Sequence, residues 1–110
     1  MQVNELIIKT GWKNVTTSSN TSREIEGAFV GDLLSFVMGN GDTDNAWITI
    51  QAHINVVAVA VLREFSCVIV CENIDIDKSV IEKANEEDLV IISCSLPIYE
   101  CSKKLIELGI

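Results

Sequence analysis

Thr49, Gln51, His53 and Asn55 place four polar side chains at alternate positions where an apolar strand gives way to a helix, in the run Thr49-Ile50-Gln51-Ala52-His53-Ile54-Asn55. Ligands in open α/β sheets bind outside the carboxyl ends of the strands. These four residues, with the carboxylate of Asp32, are therefore the candidate ligand-binding residues. Asp32 follows a short strand and Gly31, and is expected to cap the next helix by accepting from its free backbone amides. A structural reading competes at the other end of the set, with Asn55 capping its helix and His53 bonding backbone within the turn. Catalysis by these residues would rest on Asp32 and His53 as acid and base partners, because the chain holds one histidine and a single carboxylate makes no acid–base pair.

Other chemistries lack their residues. No G-x-x-x-x-G-K-[ST] run is present, and a phosphate-cradling loop needs those glycines for close backbone approach and the lysine for charge. Gly39-Asn40-Gly41 follows a helix, whereas the dinucleotide fingerprint requires strand, glycine-rich turn and helix in that order. One histidine and no Cys-x-x-Cys spacing predict no metal site, and no cofactor is expected. Cys67, Cys71, Cys94 and Cys101 would make two disulfides in an exported protein. The first five residues show no basic segment leading into an apolar run, so the expected location is the cytoplasm and the expected state is reduced thiols. Cys67 and Cys71 lie four apart in a strand-like run, which points both to one face as small hydrophobes.

The elements that must position these residues follow from composition and period. The chain has 110 residues, 48% hydrophobic and 22% charged, enough for one core, and the expectation is a single domain over residues 1–110. Eight Lys and Arg against sixteen Asp and Glu give a net charge of −8, a field that repels phosphate backbones and anionic lipid surfaces. No nucleic-acid or membrane partner is expected, and the longest apolar stretch, 54–62, is far too short to span a bilayer.

Val3, Leu6, Ile7 and Thr10 recur at helical spacing before Gly11, predicting a first helix. A brief strand follows over 12–17, then a polar loop over 16–22 that could order on ligand binding. Strands are predicted at 26–30, 46–50, 67–71 and 89–93. Helices are predicted at 33–38, 55–63, 78–87 and from Pro97 through Leu108, with Asp77 capping the third and Gly109 ending the last. Residues 39–45 read as a loop flanking any ligand site, and the acidic stretch 82–88 as a solvated helix face. Alternating strands and helices, with strands that are continuous apolar runs, predict a three-layer α/β fold: a mainly parallel sheet flanked by helices.

The segments Gly31-Asp32-Leu33-Leu34-Ser35-Phe36-Val37-Met38-Gly39 and Ala46 to Ala60, with the ending Lys104-Leu105-Ile106-Glu107-Leu108-Gly109-Ile110, resemble the DRTGG domain family from about Arg23 onward. The resemblance implies an α/β fold similar to the N-terminal domain of HPr kinase/phosphorylase, found elsewhere beside phosphotransacetylase and within CBS-domain pyrophosphatases. It implies a domain that accompanies catalysis without performing it and that self-associates. The Asp-Arg-Thr-Gly-Gly signature that names the family is absent here, and so is the kinase's phosphate-binding loop, so a serine-kinase role by family label is not adopted. The expected function is a non-catalytic regulatory or ligand-sensing module, a homodimer, acting through a protein partner or a small phosphorylated or nucleotide ligand. The alternative is a small enzyme using Asp32 and His53.

Overall fold

Four apolar runs become the four parallel strands of the sheet. In the computed structural model, which describes residues 1–17 and 20–110, these are β2 (Gly27–Val30), β3 (Asn45–Thr49), β4 (Cys67–Val70) and β5 (Ile91–Ser93). A fifth, β1 (Lys13–Asn14), pairs antiparallel with β5, and the spatial order is β1-β5-β4-β3-β2. Every residue of β3 and β4 is buried, as expected for strands covered on both faces. The edge strand β2 alternates between half-buried and exposed.

Side-chain alternation sends successive strand residues to opposite helix layers. Trp47, Val68, Val70 and Ile91 pack against α2 (Leu34–Asn40), α3 (Ile54–Leu62) and α4 (Lys78–Glu86) through Val37, Val56, Val57, Ala60, Val80 and Ala84. Ala46, Ile48, Cys67, Ile69 and Ile92 pack on the other face against α1 (Val3–Thr10) and α5 (Ile98–Glu107), through Val3, Leu6, Cys101 and Leu105. The three-layer, mainly parallel architecture is the one the sequence predicted. No helix is long and apolar enough to cross a membrane among the described residues.

Several boundaries differ from expectation for local reasons. The first strand is two residues long because Asn14 Oδ1 accepts from the Thr16 amide (2.9 Å) and hydroxyl (2.6 Å), turning the chain. Of the predicted 16–22 loop, Asn20–Ser22 form a 3-10 turn, while residues 18 and 19 lie outside the described set. Helix α2 starts one residue late and runs on through Gly39 and Asn40, so the first part of the predicted 39–45 loop is helical. Its end is set by Gly41, on which a Cβ would fall 2.4 Å from Phe65 Cζ. Gly41 is there so that backbone can approach that ring, which stacks edge-on to Trp47 at 5.6 Å.

Candidate functional site

Asp32 and Thr49 end adjacent parallel strands. The register pairs Val30 with Ile48, so the residues just beyond, Gly31-Asp32 and Thr49-Ile50, lie side by side. Asp32 Oδ1 accepts the Thr49 hydroxyl at 2.7 Å and the Ile50 amide at 2.9 Å. Thr49 Oγ1, fully buried, in turn accepts the Gln51 amide at 3.1 Å. This corrects the expectation that Asp32 caps α2: the N-cap position is Leu33, with no side-chain cap, because the carboxylate reaches across to the neighbouring strand end instead of forward along its own helix.

The second half of the set has its own local geometry. His53 occupies the N-cap of α3, and its Nδ1 accepts the Asn55 amide at 3.2 Å. The cap is thus His53, and Asn55, expected to cap, contributes its backbone N–H from the first turn. A neutral ring accepting at Nδ1 carries its proton on Nε2.

Two concavities involve these residues. His53, Ala52 and Ile54 face Asp77, Ser79 and Val80 across a cleft of about 310 Å³, at the meeting of the α3 and α4 N-termini. Asp77 holds the α4 N-cap position as predicted, but its side chain makes no cap bond. Helix N-termini present unpaired amides and partial positive charge. Asn55 lies instead on an apolar groove of about 280 Å³ between α3 and α4, with Val57, Val61 and Leu62. The structure therefore brings His53 to a cleft, gives Asn55 to a neighbouring groove, and ties Asp32, Thr49 and Gln51 into a turn network that lines neither. No hydrogen bond or ion pair joins Asp32 to His53.

The 39–45 segment does not flank these concavities. A helix joining two parallel strands leaves the carboxyl end of one and returns to the amino end of the next. Gly41–Asp44 therefore sits at the start of β3, across the sheet from Thr49.

Three of the four cysteines that the sequence predicts as reduced thiols converge in space. Cys71 directly follows β4, Cys94 directly follows β5 and Cys101 lies in the first turn of α5; their sulfurs are all within 4.8 Å of one another, and all three are buried. The neighbouring Cys101 and Cys71 thiols and the Leu96 backbone favour the charged form of Cys94, holding its thiol well below its ordinary value against the opposing effect of burial. Cys101, beside Cys71 and Cys94 and desolvated, is pushed up. At Cys71 the Cys101 thiol pulls down, but the Cys94 thiol and burial outweigh it, and the group is pushed up to about 12. Cys67, on the same face but outside the trio, is raised to about 12 by burial. The one signal in the sequence was positional: Cys71 and Cys94 each close a buried apolar run. Their adjacency needed the strand order.

No protein-family model matches the chain, and no curated protein does. Among solved structures, the chain is similar to the CBS and DRTGG domains of the regulatory region of Clostridium perfringens pyrophosphatase, complexed with the activator diadenosine tetraphosphate. The TM-score is 0.74 at 12% identity, over 93% of this chain and 44% of that one. The chain thus spans less than half the length of that solved chain. The likeness bears out the DRTGG-type α/β fold that the sequence resemblance implied.

Proposed function

We propose that the chain is a single-domain, non-catalytic regulatory module of the cytoplasm that senses a small nucleotide or phosphorylated ligand and works as a homodimer on a protein partner. The observation that carries this reading is the commitment of both acid–base candidates to architecture. Asp32 Oδ1 is taken up by Thr49 and Ile50, and His53 Nδ1 by the α3 amide of Asn55. At the carboxyl ends of the strands lies a cleft between two helix N-termini, lined by His53, Asp77 and Ser79, and helix-terminal amides suit an anionic group. The similar pyrophosphatase region, a regulatory one complexed with a dinucleotide activator, supports the same reading.

Self-association is supported by an apolar surface beside the open edge of the sheet. Val30 at the end of β2, Leu33, Phe36 and Ile50 are 48%, 69%, 56% and 40% exposed. Leu33 and Ile50 flank the turn that Asp32 pins, and an unpaired strand edge invites pairing with a second chain.

The test is a thermal-shift series of the purified chain against diadenosine tetraphosphate, mononucleotides and inorganic phosphate, with turnover of each compound followed in parallel. A ligand at a hundred times its dissociation constant stabilises by about 2.7 kcal/mol, and His53→Ala should weaken that shift. Hydrolysis or transfer that disappears in folded Asp32→Ala or His53→Ala would establish an enzyme and sink the proposal.

A further inference from the structure

The connections that leave β4 and β5 diverge. The chain after β4 runs to α4, which packs with α2 and α3 on one face of the sheet, whereas the chain after β5 runs to α5, which packs with α1 on the other. Adjacent parallel strands whose outlets part to opposite faces leave the place between their carboxyl ends where open α/β sheets bind ligands. Here that place holds Cys71, Cys94 and Cys101.

Three further features suit those residues to an ion. First, the donors are all sulfur, and no carboxylate or imidazole belongs to the cluster among the described residues. Second, a metal bonded to sulfur at about 2.3 Å sets three sulfurs in a plane about 4 Å apart, so sulfurs already within 4.8 Å of each other need only a small closure. Third, the cage is held by backbone. The Cys71 amide donates to Thr49 O (2.9 Å), the Cys94 amide to Val70 O (2.9 Å), the Asn73 amide to Cys94 O (3.1 Å) and the Cys101 amide to Pro97 O (2.9 Å). Residues 72–75, which follow Cys71, and residue 95, which follows Cys94, are exposed.

We propose that Cys71, Cys94 and Cys101 form a binding site for a single thiophilic metal ion, held by three sulfurs at the divergence of β4 and β5. Sulfur donors select Cu(I) and Zn(II). Closed zinc sites take four protein ligands, so a three-sulfur set favours Cu(I). Binding releases thiol protons to solvent and changes no oxidation state. The site is independent of the nucleotide-sensing reading, because none of its residues lines the His53 cleft.

The experiment uses the full chain, reduced, stripped with chelator and kept anaerobic, titrated with Cu(I) and separately with Zn(II) against a chromophoric competitor. One ion per chain is expected, with affinity falling by at least about 100-fold in Cys94→Ser and Cys71→Ser and hardly at all in Cys67→Ser. Retention of either ion at that stoichiometry and with that dependence establishes the site, and the ion retained identifies it. Should the serine variants not fold, X-ray absorption of the loaded wild type decides, three sulfur neighbours being the expected shell. Loss of both ions to the competitor, binding indifferent to Cys94→Ser in a folded variant, or a shell of oxygen and nitrogen would overturn the proposal.

Discussion

The Thr49 hydroxyl donates to Asp32 Oδ1 at 2.7 Å, joining the carboxyl ends of β2 and β3 through one fully buried side chain and one turn carboxylate. The same oxygen takes the Ile50 amide. Asp32→Ala leaves both donors without it and should cost about 1–3 kcal/mol, read as a lower urea midpoint. Thr49→Val removes the hydroxyl in a side chain of similar shape. The double variant should lose less than the sum of the singles, and strict additivity would show that the two groups are not coupled.

Gly41 meets Phe65 so closely that an added Cβ would stand 2.4 and 2.7 Å from ring carbons and 3.1 Å from Val37 O. Gly41→Ala should therefore destabilise by about 1–3 kcal/mol through overpacking. Adding Phe65→Leu should recover part of that loss, although Phe65→Leu alone is destabilising. A double variant no more stable than Gly41→Ala would place the strain elsewhere.

His53 closes the N-terminus of α3 with Nδ1. Its replacement by Ala should cost about 0.5–2 kcal/mol and its replacement by Asn, a strong capping residue, much less. Thermal denaturation of the two variants side by side distinguishes loss of the cap from loss of the imidazole as such.

Cys67 links stability to alkaline pH. Burial, partly offset by the Arg23 charge, raises the folded thiol to about 12 from an ordinary 9.0. Between those values the native state keeps a proton that the unfolded chain has released. The contribution is complete below the unfolded value and is lost as pH rises toward the folded one, at about 1.4 kcal/mol per pH unit for one such group. In urea midpoints measured across that window, Cys67→Ala should show a shallower decline than wild type, whatever its absolute stability. An equally steep decline would assign the effect to other groups.

Leu33 is 69% exposed beside the β2 edge. If the chain dimerises through that surface, Leu33→Lys should yield a monomer in sedimentation experiments while shifting the stability of the fold by no more than about 0.5 kcal/mol. A dimer that survives both this change and Val30→Lys forms elsewhere.

Much of the architecture was legible because it is set locally. The first helix and its glycine stop at Gly11, the Pro97 and Gly109 boundaries of α5, and the continuous apolar runs of β3 and β4 all matched. Errors gathered where a polar side chain had two partners to choose between. Asp32 had α2 ahead of it and β3 beside it, and only the pairing of Val30 with Ile48 decided for β3. Asn55 and His53 both offered a cap, and the backbone gave the position to His53.

Taken alone, the amino-acid sequence determined the class of fold, the alternation of helix and strand and the lack of a phosphate-binding loop, since period, glycine, proline and apolar content act over a few residues. Tertiary structure alone decided which strands are neighbours and to which face each connection turns. That separated the 39–45 segment from Thr49, divided the candidate polar residues between a network, a cleft and a groove, and gathered Cys71, Cys94 and Cys101 at one point. The reason is physical: strand order and helix side are chosen by burial summed over the whole sheet, and no local spacing records the result.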